Sequence, residues 1–125
     1  MHRISKALFS LAQTQLATRI IGWVFAHLSW GLPIKRLYET DHLLVFHHPF
    51  PTYKIHILIV PKKAIPSVLE LTPADNLLLA DILQTTSLLI NDLNPRDNNF
   101  RLVVNGGGYQ NIPQLHFHLI ADGQE

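Results

Sequence analysis

Two short runs, KIHILIVP at 54–61 and QLHFHLIA at 114–121, limit the possible folds most strongly. Both are rich in β-branched and aromatic residues, so both read as strands. Side chains alternate between the two faces of a strand. Ile55, Ile57 and Ile59 therefore share one face, and Lys54, His56, Leu58 and Val60 share the other. In the second run Leu115, Phe117 and Leu119 point one way, and Gln114, His116, His118 and Ile120 point the other. Each strand thus combines a strongly apolar face with a face that carries imidazole. The apolar faces need a second layer to cover them.

One segment supplies that layer. Thr72 followed by Pro73 reads as a helix cap and first helical residue. The helix then runs through ADNLLLADILQTTSLLINDL to about Leu93. Leu78, Ile82, Leu89 and Leu93 lie near one face, and Pro95 closes the element. IKRLYET and HLLVFHH read as two strands joined at Thr40-Asp41, PFPTY as a loop, and NFRLVV as a strand before the glycine-rich NGGGYQNIP. Strands in sequence with one long helix predict an α+β domain with a mainly antiparallel, five-stranded sheet.

The 125 residues, 47% hydrophobic, suit one domain with a real core. A net charge of +1 gives no case for a polyanion-binding surface, so no nucleic-acid binding is expected. The absence of cysteine excludes disulfides, thiolate zinc sites and cysteine nucleophiles. Residues 1–20 read as a basic, amphipathic helical extension, and the first acidic residue is Glu39. Three readings of that start stay open: a helix packed on the domain or a second subunit, a membrane-surface helix, or an organelle transit peptide. The apolar stretch from Ile20 to Leu32 is shorter than the roughly 20 residues of a bilayer span. A cytoplasmic location is expected, with organelle targeting or peripheral membrane contact as alternatives.

His116 and His118 stand about 7 Å apart along one strand face, from a rise of about 3.3 Å per residue. They are metal ligands, catalytic groups or a polar face. His56 joins them if the two strands are neighbours. Gly106, Gly107 and Gly108 form a loop able to turn backbone N–H groups toward a phosphate. His2, His27, His42 and His47 read as ordinary surface or helix residues, and Lys62 and Lys63 as a solvated turn.

These residues resemble the histidine-triad (HIT) superfamily, in particular its Hint-like branch. QLHFHLI matches the motif His-φ-His-φ-His-φ-φ, where φ is apolar, with Gln114 at the first position. HILIVPKK, LPIKRLYETDHLLVFHHPFP, FRLVVNGG and WVFAHL resemble further family segments, so that the likeness covers residues 21–125. The resemblance implies a nucleotide hydrolase or nucleotidyl transferase acting on a phosphoramidate, dinucleoside polyphosphate or nucleotidyl adduct. His116 would be the nucleophile, forming a covalent nucleotidyl-histidine, and His118 would bind a phosphate oxygen or the leaving-group side. His56 would support the pocket, and Gln114 would take the orienting place. Asn105, the loop glycines, Gln110 and Asn111 would hold the phosphate, with Phe46 and His48 on the nucleoside side. The ligand would be a purine nucleotide or related phosphate compound, with no cofactor required and metal not excluded. The same likeness implies a homodimer.

Two departures bear on this. Gln114 cannot carry a proton as imidazole does, and His48 stands where an acidic residue usually holds the ribose hydroxyls. Two alternatives follow: a HIT-fold binding protein weakened in catalysis, and a metal hydrolase using His56, His116 and His118.

Overall fold

The computed structural model describes residues 36–122. The N-terminal extension, the WVFAHL segment, His2 and His27 lie outside the described residues. Five strands form one sheet: β1 (Arg36–Glu39), β2 (Leu43–His47), β3 (Ile55–Pro61), β4 (Arg101–Val104) and β5 (Phe117–Ala121). Their order is β1-β2-β3-β5-β4, and every neighbouring pair is antiparallel. Among the described residues the one long helix, α1 (Asn76–Leu93), lies between β3 and β4 in sequence.

Local chemistry explains α1. Thr72 accepts from the Ala74 amide and Asp75 reaches back to the Thr72 amide, a reciprocal cap around Pro73. A single 3₁₀ turn (Pro73–Asp75) precedes the helix proper. At the other end Asn94 takes a left-handed conformation, φ 48°, and its N–H bonds Ile90 O. Leu78, Ile82, Leu89 and Ile90 bury one stripe of the helix against Leu43, Val45, Ile57, Ile59, Leu115, Phe117 and Leu119. The apolar strand faces read from sequence thus form the core. Leu93, at the helix end, is only partly buried beside it.

One expectation needs correction. The last strand begins at Phe117 and not at Gln114. Pro113 has no N–H to give a ladder, and the Leu115 amide bonds Ile65 O instead. Lys62 and Lys63 are exposed, as expected of a solvated turn, and are also paired: their ammonium groups lie 3.0 Å from Glu39 and 3.2 Å from Asp75. Being exposed, such pairs add little to stability. His42 is likewise more than a surface residue, since its Nδ1 lies 3.4 Å from Asp81 on α1. Among the described residues, no helix is long and apolar enough to cross a membrane.

Candidate active site

The face of the sheet opposite α1 carries the site, and its register sets the layout. The His48 amide bonds His56 O at 2.8 Å, His56 pairs with Ile120, and Ile120 pairs with Arg101. These four residues form one rung across four chain segments, on one face. On the next rung Phe46, Leu58, His118 and Val103 stand side by side. His116 lies just before β5, and its ring sits beside that of His118 on this face. Leu44, Phe46, Val60 and Leu58 form a second, smaller apolar cluster on this face.

Four imidazoles converge there. The His48 and His56 rings stack with centroids 4.3 Å apart, and His118 lies 5.2 Å from His56. His116 meets His118 edge-on at 5.1 Å. Tyr53, from the loop before β3, meets His56 edge-on at 5.6 Å. The His48 stack and Tyr53 were not foreseen in the sequence. Both depend on where the PFPTY loop lays its ends against the start of β3.

Backbone groups fix most of the tautomers. A carbonyl only accepts, so the His116 Nδ1, 2.7 Å from Gln114 O, donates to it and Nε2 keeps the lone pair. A backbone N–H only donates, so His48 Nδ1 accepts from Phe50 at 2.9 Å. His56 Nδ1 likewise accepts from Thr52 at 3.1 Å. In their neutral forms both rings therefore carry the proton on Nε2. His56 Nε2 then donates to His118 Nδ1 at 2.9 Å, which leaves the His118 proton on Nε2 as well. One lone pair, on His116, stands beside the Nε2–H donors of His48 and His118, while that of His56 is spent on His118.

Burial and mutual repulsion keep those donors neutral. Burial, followed by the neighbouring His116, His56 and His48, pulls His118 down to about 4. His48 is lowered by burial and then by His116, and His56 by burial and then by His48.

Nitrogens of His48, His56 and His118 lie within 4.8 Å of one another, close enough to hold a metal ion. This is not the trio expected, since His48 stands where His116 was read. The hydrogen bonds oppose coordination. A metal on Nε2 of His48 or His56 would require a proton on Nδ1, which faces a backbone N–H in both rings. The donor set suits an anion better than a cation.

Gln114 departs from its expected position on the histidine face. It is 2% exposed, and its amide turns to the end of β3. Its Nε2 donates to Pro61 O at 3.0 Å and Lys63 O at 2.9 Å, while Oε1 accepts from the Ile65 amide at 3.2 Å. The orienting contact to His116 comes from its backbone carbonyl. Gln110 is also buried, bonding Pro66 O and Ile112 O. Phe46 is buried in the smaller apolar cluster. Asn105 follows β4 and is partly buried; Gly106, Gly107, Gly108 and Asn111 are exposed. Gly107 opens a 3₁₀ turn (Gly107–Tyr109) with φ +58°, a left-handed conformation that favours glycine.

Comparison with known proteins identifies the fold. The family model described as HIT domain matches residues 31–125. A HIT-like protein of Synechocystis sp. is 35% identical over 92 residues, covering 72% of this chain and 80% of the relative. Among solved structures, a HIT family hydrolase from Legionella pneumophila superposes with TM-score 0.71 at 31% identity, covering 81% of this chain and 93% of that one. A histidine triad nucleotide-binding protein from Candida albicans gives TM-score 0.67 at 28% identity, with 82% and 76% covered.

Proposed function

The chain belongs to the HIT domain family, and on that footing we propose that it is a nucleotide hydrolase or nucleotidyl transferase working through a covalent nucleotidyl-histidine on His116. The observation that carries this reading is the hydrogen bond from His116 Nδ1 to Gln114 O. In the neutral ring it puts the lone pair on Nε2 and orients it beside a set of N–H donors. In support, the similar Legionella protein is described as a hydrolase and the Candida protein as nucleotide-binding.

The steps follow from these groups. The His116 Nε2 lone pair attacks the α-phosphorus, an N–P bond forms, and the bond to the leaving group breaks. The His118 Nε2–H donates to a phosphate oxygen and offsets the charge that builds there. The 3₁₀ turn commits the Tyr109 and Gln110 amides to Gly106 O and Gly107 O. The Gly107 and Gly108 amides remain to face the phosphate, with Asn105 and Asn111 beside them. The leaving group takes a proton from solvent as it departs. Water then attacks the same phosphorus, the His116 N–P bond breaks, the nucleotide departs with the new hydroxyl, and the second proton of the water returns to solvent. A purine nucleoside on the Phe46 and His48 side completes the proposed ligand.

A homodimer is part of the same reading. Leu77 and Leu88 are 68% and 45% exposed on α1, and β4 is an edge strand beside the exposed Phe100. Such apolar surface is suited to a second copy.

The test mixes metal-stripped protein with adenosine 5′-phosphoramidate and measures AMP. Release by wild type and not by His116→Ala supports the proposal. Binding without release in wild type would leave a HIT-fold binding protein.

A further inference from the structure

The run HHPFP at 47–51 leaves one backbone N–H among residues 49–51, that of Phe50, because both its neighbours are proline. That N–H bonds His48 Nδ1 at 2.9 Å. A proton on Nδ1 would set donor against donor, so the ring stays neutral and its proton sits on Nε2. Among the described residues no acceptor takes that Nε2–H. The ring is partly buried, stacks on His56 at 4.3 Å and lies 6.0 Å from His118, within 26° of parallel. A nitrogen of His48 and one of His118 lie within 4.8 Å of each other. His116 is near enough to lower the His48 pKa. With the His56 N–H spent on His118, His48 and His118 hold the donors available to a ligand.

We infer that His48 is a further catalytic residue, whose Nε2–H donates to an oxygen of the transferring phosphate beside the His118 N–H. The inference rests on the proposed attack at His116, and it gives the ring that borders the nucleoside a hold on the phosphate. Hydrogen bonds of about 2.9 Å from two rings so close can meet on one phosphate group. As the His116 N–P bond forms, charge builds on the phosphate oxygens and both N–H bonds strengthen. Neither ring gives up its proton. The proline-flanked loop and the stack on His56 fix the donor before the ligand arrives, the condition under which such a group accelerates a reaction. A neutral nucleoside hydroxyl can accept the same N–H, but an anionic oxygen makes the bond roughly twice as strong.

The test is steady-state hydrolysis of adenosine 5′-phosphoramidate by the full-length chain and three variants, with thermal melting confirming that each folds. His48→Phe keeps a ring to stack on His56 and removes the N–H. His48→Gln keeps an N–H donor, and His48→Asp sets a negative charge against the phosphate. In His48→Phe kcat should fall about 10²-fold, the loss of one positioned donor, and it should fall further in His48→Asp. His48→Gln should lie between wild type and His48→Phe, with KM within about threefold of wild type throughout. A change confined to KM, a His48→Phe kcat within about twofold of wild type, or a His48→Asp variant as active as wild type would overturn the assignment. If His48→Phe does not fold, the order of His48→Gln above His48→Asp decides. AMP release that His116→Ala abolishes is read separately, so the chemistry at His116 can stand while the role of His48 fails. Wild type without turnover would fail both.

Discussion

The His56 Nε2 stands 2.9 Å from the His118 Nδ1, and the Thr52 amide decides the direction of that bond. Because Thr52 donates to the far side of the His56 ring, His56 must donate to His118. The His118 proton is thereby held on the nitrogen that remains for a ligand. A backbone amide in a proline-flanked loop so determines the chemistry of a side chain on β5.

His56→Ala removes that donor and frees the His118 tautomer. Turnover should fall on the order of 10²-fold, as for loss of one positioned polar group. His56→Gln, which keeps an N–H donor, should recover part of it. Steady-state kinetics of both variants decide this, and equal losses would argue against a directional bond.

Gln114→Ala strips partners from Pro61 O, Lys63 O and the Ile65 amide at once. It should destabilise the fold by about 3 kcal/mol, since each buried group left unpaired costs about 1–3. Gln114→His offers at most one donor when neutral. It should cost about 1–2 kcal/mol without raising turnover, because the contact to His116 comes from the main chain. Denaturant unfolding together with an activity assay tests both statements. A more active Gln114→His would show that the side chain matters to catalysis after all.

Acid should weaken the fold. The pKa values of His48, His56 and His118 lie below their ordinary 6.5, with His118 down to about 4. Between about 4 and 6.5 the unfolded chain therefore binds protons that the folded chain refuses. Stability from these groups is full above pH 6.5 and is lost as pH falls toward 4. Thermal melting across that range should show the decline, and His118→Asn should flatten it. A melting temperature independent of pH in this window would contradict the burial of the cluster.

Chelation should leave turnover unchanged. Coordination by His48, His56 and His118 would cost the Phe50 and Thr52 hydrogen bonds. Loss of activity in EDTA, restored by one equivalent of zinc, would show that the cation prevails over those bonds.

Much of this was legible in the chain. The alternation in KIHILIVP and the spacing of Leu78, Ile82 and Leu89 expressed the core directly, because one buried face fixes a strand's orientation. His56, His116 and His118 could be placed on the same side of their strands. Their meeting could not be read until β3 and β5 were known to pair. Gln114 was misplaced because period-two alternation holds only inside a strand, and Pro113 delays that strand to Phe117. His48 looked like a loss, a base where an acid was expected. Its partner His56 lies eight positions away in sequence, and only the β2–β3 register sets the two rings face to face.

The central claim is that His116 itself becomes bonded to phosphorus. The most direct test quenches the protein in alkali during turnover of adenosine 5′-phosphoramidate and measures its intact mass, since phosphoramidate bonds to histidine are labile in acid. An adenylyl adduct that maps to His116, and is absent from His116→Ala, is the predicted result. Release of AMP by His116→Ala at the wild-type rate, or an adduct on another residue, would contradict it.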